Sequence, residues 1–310
     1  MTQDPNDNVY CNNTINQSQT IDVTETIVYI PVCFFGIILN AFAIWVFFCR
    51  MGKWTETRVY MTNLALSDFL FVCILPLKII YRAQTVTIPC LIMECAYFIN
   101  RYMSVFLITI TAVDRYIAIT YPLRAKDIRS PLKSVVVCGV LWTLMISLLC
   151  IAKVMDDRTK GICFRKINKE PSPHLFASVI WGFLIPLTIL SFCSIEVTRK
   201  LKKKKRTHPH EARLIQKAIN IICANIIVFI ICFLPLHVAI LIQFIADSTD
   251  ASCTKRAKIS FFLDHAGILA NTNCCLDAIC YYFVNKEFQE VSLELTTKYQ
   301  SSENEDSDVF

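Results

Sequence analysis

Residues 27–49 read IVYIPVCFFGIILNAFAIWVFFC, a run with no Asp, Glu, Lys or Arg. The hydrocarbon core of a bilayer is about 30 Å thick, so a helix needs roughly 20 mostly apolar residues to cross it. This run is long enough. Six more segments meet that length, Val59–Tyr81, Leu91–Val113, Ser134–Ala152, Leu175–Ile195, Ala218–Ala246 and Ile259–Val284, and the fourth, fifth and sixth spans likewise contain no Asp, Glu, Lys or Arg. The composition agrees. Of 310 residues, 55% are hydrophobic and 18% charged, and the mean hydropathy is +0.47. A soluble domain carries about 25% charged residues. The short alternating segments of a membrane β-barrel do not occur. The expected fold is therefore an all-α membrane protein, a seven-transmembrane helix bundle spanning residues 27–284.

Charge sets the expected orientation. Lys and Arg concentrate at Arg50–Arg58, Arg115–Lys133 and Arg199–Lys217, the first, third and fifth connections between spans. The positive-inside rule makes that side cytoplasmic and puts the amino terminus outside, with no cleaved signal peptide in the polar residues 1–26. Two acceptor tripeptides, at Asn12 and Asn16, make residues 1–26 a glycosylated extracellular tail. The run Lys200–Arg206 suits anionic membrane lipids, an acidic protein surface, or orientation alone.

Most of the 16 cysteines lie in apolar segments as small packing residues. Cys11, Cys90, Cys163 and Cys253 fall at the expected outer face, where disulfides persist. Cys90–Cys163 with Cys11–Cys253 is one of three possible connectivities.

An ionisable residue inside a span is costly and marks a functional position by default. Asp68, Lys78, Glu94, Arg101, Asp264 and Asp277 are such residues. At about 1.5 Å per residue, Asp68, Ser104 and Asp277 lie at depths that let them meet, and Asn273 shares a helix face with Asp277. That layer suits a sodium ion, a proton-linked switch or a water-filled network. Arg101 lies about 21 Å from the level of Arg115, too deep to reach either surface. It either pairs internally with Glu94 or anchors an anionic ligand, aided by Tyr97, Lys78, Lys153 and Arg165. A guanidinium binds carboxylate or phosphate bidentately. Pro76, Pro186 and Pro235 interrupt spans, and Pro235 is a place where the sixth helix can swing.

These residues resemble the rhodopsin family over residues 27–290. The motifs are Gly36-Ile37-Ile38-Leu39-Asn40, Asn63-Leu64-Ala65-Leu66-Ser67-Asp68, Asp114-Arg115-Tyr116, Trp142, Pro186 and Cys232-Phe233-Leu234-Pro235. The resemblance implies a plasma-membrane receptor that activates heterotrimeric G proteins and is not an enzyme. It implies that Arg115 holds the inner face closed through Asp114 and contacts the G protein when the helices part, with Tyr116 and Tyr281 at the same end. It implies a Cys90–Cys163 disulfide, a sodium site at Asp68, Ser104, Asn273 and Asp277, a switch at Phe233 and Pro235, and a short amphipathic eighth helix at 285–298. Stretches such as Asn100-Arg101-Tyr102-Met103-Ser104 are similar to receptors whose neighbours respond to lysophospholipids, nucleotides or small acids. That group implies an acidic small-molecule or lysophospholipid agonist at Arg101, a Cys11–Cys253 disulfide, and Gi/o and G12/13 coupling. Two departures stand out. Phe233 replaces the usual Trp, and Asp277-Ala278-Ile279-Cys280-Tyr281 replaces Asn-Pro-x-x-Tyr, so the usual proline kink in the last span is not expected.

Residues 299–310 are acidic and expected to be disordered, with Ser301, Ser302 and Ser307 as sites for receptor kinases and arrestin capture. The last span has no lysine for a retinal Schiff base. An ion-coupled transporter using Asp68, Arg101 and Asp277 is the alternative reading, against which stands the lack of inverted repeats. No metal-ligand cluster, cofactor motif or nucleic-acid module occurs.

Overall fold

A computed structural model describes residues 14–81, 85–121, 125, 128–155, 163–164, 173–203, 209–249 and 251–284. Seven helical rods make a bundle. They are α1 (Thr14–Trp45, ending in a π-helical turn Val46–Arg50), α2 (Glu56–Tyr81), α3 (Ile88–Thr120) and α4 (Pro131–Met155). α5 begins as Pro173–Val179, passes through a π-helical turn at Ile180–Leu184 and continues over Ile185–Lys203. α6 is Pro209–Ser248, and α7 is made of Cys253–Asn271 and Asn273–Val284. Six of them are long and apolar enough to cross a membrane as single helices.

The seventh span forms where it is expected, but in two pieces. The backbone N–H of Thr272 bonds back to Leu269 O at 3.1 Å, and Cys275 N to Thr272 O at 3.1 Å. These tight bonds break the helix without a proline. The first piece also carries Lys255, Arg256, Lys258 and Asp264, which lower its hydropathy. The π-helical turn of α5 likewise has a cause: Pro186 has no N–H to offer Gly182 O, and the ladder shifts register just before it. A second difference concerns the start. The expected tail of residues 1–26 is helical from Thr14 onward, so the Asn16 tripeptide lies on the first turn of α1 and Glu25 is buried.

The bundle is apolar outside and partly polar inside, the reverse of a soluble domain. Trp181 is 66% exposed and Val136 57%, whereas Asp68 and Asn40 are 0% exposed. An outer belt of this kind requires lipid. Polar side chains inside join the helices. Asn40 Nδ2 donates to Cys274 O at 3.0 Å, tying α1 to α7. Trp142 Nε1 donates to Asn63 Oδ1 at 3.3 Å, tying α4 to α2. Close approach matters as well: a Cβ on Gly36 would stand 2.6 Å from Val72 Cγ1, so only glycine lets α1 lie against α2 there.

Candidate functional site

The polar interior has three levels, and the disulfide marks one end. Cys90 and Cys163 are bonded, pinning the loop after α4 to the start of α3. The next residue, Phe164, takes a φ of 62°. That left-handed conformation costs a non-glycine residue roughly 1–2 kcal/mol. Glu94 Oε1 accepts the Phe164 N–H at 2.6 Å, and the Phe164 ring meets Tyr97 edge-on at 5.7 Å, which hold it there.

Beneath Phe164 lies Arg101. Its Nη2 donates to Tyr97 Oη and to Asn271 Oδ1, the latter at 3.0 Å, and its guanidinium covers the Tyr97 ring at 4.8 Å. Asn271 Nδ2 in turn donates to Tyr29 Oη at 2.7 Å. These partners are neutral. The internal Arg101–Glu94 pair does not form, and among the described residues no carboxylate pairs with Arg101. Its buried Nε has no acceptor. The absence of a side chain at Gly267 leaves room beside Nη2.

Lys78 is placed differently from expectation. It lies 3.0 Å from Glu25 Oε1 in a buried ion pair between α2 and α1, with the rings of Tyr29 and Tyr97 5.3 and 4.8 Å away. Its charge is met internally by Glu25, and the pair ties α2 to α1. Sequence reading missed Glu25 because it precedes the apolar run at Ile27. The signal available was Lys78 itself, a buried cation that needed an anion. Lys153 and Cys253 have side chains outside the described residues, and Arg165, Asn12, Cys11, Ser301, Ser302, Ser307 and segments 285–298 and 299–310 lie wholly outside them. Asn16 is described only by its backbone.

The middle level gathers the four expected residues. Ser104 Oγ donates to Asp68 Oδ1 at 3.2 Å, and Asn273 Nδ2 to Asp277 Oδ2 at 2.6 Å. Asp68 Oδ2 and Asn273 Oδ1 are buried and lack a hydrogen-bond partner. A small cavity lined by Arg101, Asn100, Ser104, Asn273 and Phe233 among others lies between this level and the one above. Unpartnered oxygens from α2 and α7, beside Ser104 of α3, fit a hard monovalent cation such as sodium. Phe233 is buried against Phe229 at 5.2 Å, on the helix that contains Pro235.

The far level corrects one expectation. Asp114 does not bond to Arg115. Arg129 takes both its oxygens, Nε to Oδ1 at 2.6 Å and Nη2 to Oδ2 at 2.8 Å, and Thr57 Oγ1 donates to Oδ2 at 3.0 Å. This carboxylate raises the Arg129 guanidinium above its usual pKa. Such a forked, two-point guanidinium–carboxylate pair is among the stronger polar contacts. Arg115 instead lines a cleft with Asp277, Tyr281 and residues of α5 and α6. Tyr281 is buried with its hydroxyl unpartnered, and Tyr116 packs on Phe192 of α5 at 5.6 Å.

Comparison with known proteins places this geometry. The family model for the 7 transmembrane receptor (rhodopsin family) matches residues 39–281. The chain is 37% identical to G-protein coupled receptor 35 of Mus musculus over 302 residues, covering 97% of each chain. It is 35% identical to G-protein coupled receptor 55 of Homo sapiens over 272 residues, 84% of this chain and 85% of that one. It is 33% identical to lysophosphatidic acid receptor 4 of Mus musculus over 283 residues, 85% of this chain and 75% of that one. The transporter reading falls with these matches. The chain belongs to the rhodopsin family of seven-transmembrane receptors and is a multi-pass, non-enzymatic G-protein-coupled receptor.

Proposed function

We propose that this receptor binds an acidic small molecule or lysophospholipid that enters from the disulfide end and places its anionic group on Arg101. The observation that carries this reading is the half-buried guanidinium of Arg101, whose Nε is buried without an acceptor and whose partners among the described residues, Tyr97 and Asn271, are neutral. A partly buried cation without a carboxylate carries a desolvation cost, and a carboxylate or phosphate from outside would relieve it through the unused Nε donor. Lys153 and Arg165 belong to the same proposed site by their place in the chain. Relatives named for lysophosphatidic acid carry a phosphate ligand in their names, which fits this chemistry.

In this reading the amino terminus is extracellular, the receptor sits in the plasma membrane, and Asn12 and Asn16 are glycosylated. Cys11 pairs with Cys253. A sodium ion between Asp68, Ser104, Asn273 and Asp277 favours the resting arrangement. The ligand binds the active arrangement more tightly, and only that difference shifts the equilibrium. α6 then swings about Pro235, and Arg115 meets a G protein of the Gi/o or G12/13 class. Receptor kinases mark Ser301, Ser302 and Ser307, and arrestin follows.

The test uses lysophosphatidic acid and a panel of acidic metabolites against G-protein dissociation sensors. Arg101→Ala is expected to abolish the response to any acidic agonist found, at unchanged surface amount. Equal potency in the variant would discard Arg101 as the anchor.

A further inference from the structure

Asp114 is held from two directions, and neither of them is Arg115. Arg129, between α3 and α4, closes on it with a two-point guanidinium fork. Thr57 of α2 bonds the same carboxylate. Glu56 Oε2 lies 3.3 Å from Arg129 Nη2, so the fork is itself tied to α2. The Asp114 side chain is 6% exposed and that of Arg129 is 21% exposed. A forked pair so withdrawn from water is in the setting where it is strongest.

The consequence falls on Arg115. It faces the cleft at this end, and among the described residues no hydrogen bond or ion pair holds it, Asp114 acting on it only through space. Asp114 has two cations to choose between, its sequence neighbour Arg115 and the distant Arg129. Choosing Arg129 leaves Arg115 open to a docking protein. Choosing Arg115 would tie it down.

We propose that Arg129 is a positioning residue that keeps Asp114 away from Arg115, and that the Arg129–Asp114–Glu56 clamp thereby sustains G-protein coupling without ligand. The inference rests on Arg115 being the G-protein contact, as proposed above, and is independent of what binds at Arg101.

The experiment measures ligand-free activation in cells at matched surface density, with dissociation sensors for each G-protein class. Wild-type receptor is expected to signal above receptor-free cells. Arg129→Ala is expected to lower that signal about fivefold, the size of effect that single residues of coupling networks exert. Arg129→Lys, which keeps the charge and loses the fork, should fall between. Adding Asp114→Asn to Arg129→Ala should restore the signal, because no carboxylate is left to capture Arg115. The gain from Asp114→Asn should be larger in that background than in wild type. Absent ligand-free signal in wild type, an unchanged or raised signal in Arg129→Ala, or equal gains from Asp114→Asn in both backgrounds would overturn the proposal. If Arg129→Ala fails to reach the surface, Arg129→Lys with and without Asp114→Asn decides in the same way. Arg115→Ala separates the two levels: if it leaves coupling intact, the contact role itself is wrong. If it abolishes coupling while the Arg129 variants do nothing, only the clamp is wrong.

Discussion

Replacing Glu25 with Gln strands the charge of Lys78. The two groups stand 3.0 Å apart, with side chains 4% and 10% exposed. Unit charges at that separation attract by about 5 kcal/mol at an effective dielectric of 20. Removing one member of a buried pair costs roughly 3–5 kcal/mol, because the survivor keeps its desolvation penalty. Lys78 retains the faces of Tyr29, Tyr97 and Phe164 and a hydrogen bond to Tyr29 Oη at 3.3 Å. The expected loss therefore lies near the lower figure, about 3 kcal/mol. The assay is the rate of irreversible inactivation of detergent-solubilised receptor at one temperature, since such proteins rarely refold. If half of that loss appears in the unfolding barrier, Glu25→Gln inactivates about tenfold faster. Lys78→Met in the same chain removes the stranded charge and should recover most of the difference. A Glu25→Gln rate within about twofold of wild type, or no recovery in the double variant, would show that the pair does not clamp α1 to α2.

Three further outcomes follow from the same geometry. Exchanging sodium for choline should raise agonist potency in wild type and leave Asp68→Asn unmoved; sodium dependence that survives in the variant removes the ion from this site. Gly36→Val should cut surface expression sharply, because its Cβ would stand 2.6 Å from Val72 Cγ1 and overpacking of this kind costs about 1–3 kcal/mol; flow cytometry of tagged receptor reads it, and wild-type surface levels would refute the close-approach account. Deleting residues 299–310 should abolish agonist-driven arrestin recruitment while G-protein activation persists, and unchanged recruitment would clear the tail of that role.

The bundle was legible because lipid leaves a coarse mark: long charge-free runs and basic connections survive any reading window. The middle level was legible too, since the depths of Asp68, Ser104 and Asp277 follow from helical rise alone, and the bonds of Ser104 to Asp68 and of Asn273 to Asp277 are present. What the sequence hid were the choices between partners. Lys78 and Arg101 look alike as buried cations, yet Lys78 meets a carboxylate from α1 and Arg101 meets an amide from α7. Rotation of a helix about its axis decides such matters, and composition does not record it. Asn271 escaped notice because neutral polar residues raise no alarm in an apolar span. Arg129 escaped because a cation in a basic connection looks like one more orienting charge. The break at Thr272 left no trace, because threonine does not force one as proline does.

The same pattern explains why a buried charge is weak proof of function in a membrane. Lipid tails are as apolar as the side chains that face them, so helices gain little from hydrophobic association and rely on packing and on polar contacts between them. Each charged or amide group here links particular helices: Glu25–Lys78 joins α1 to α2, Arg101–Asn271 joins α3 to α7, Ser104–Asp68 joins α3 to α2. Asp247–Arg256 joins α6 to the start of α7 at 2.9 Å. The ion pairs among these are electrically complete. Arg101 and the Asp68–Asn273 level are not, because a cation lacks an anion at one and acceptor oxygens lack a donor or cation at the other. Incompleteness therefore adds to burial a second mark of a site, although a staple such as Asn40 also keeps one unpartnered oxygen. By that criterion the geometry favours Arg101 for the ligand and Asp68 for the ion proposed above, and Lys78 packs with Tyr97 through its pair with Glu25.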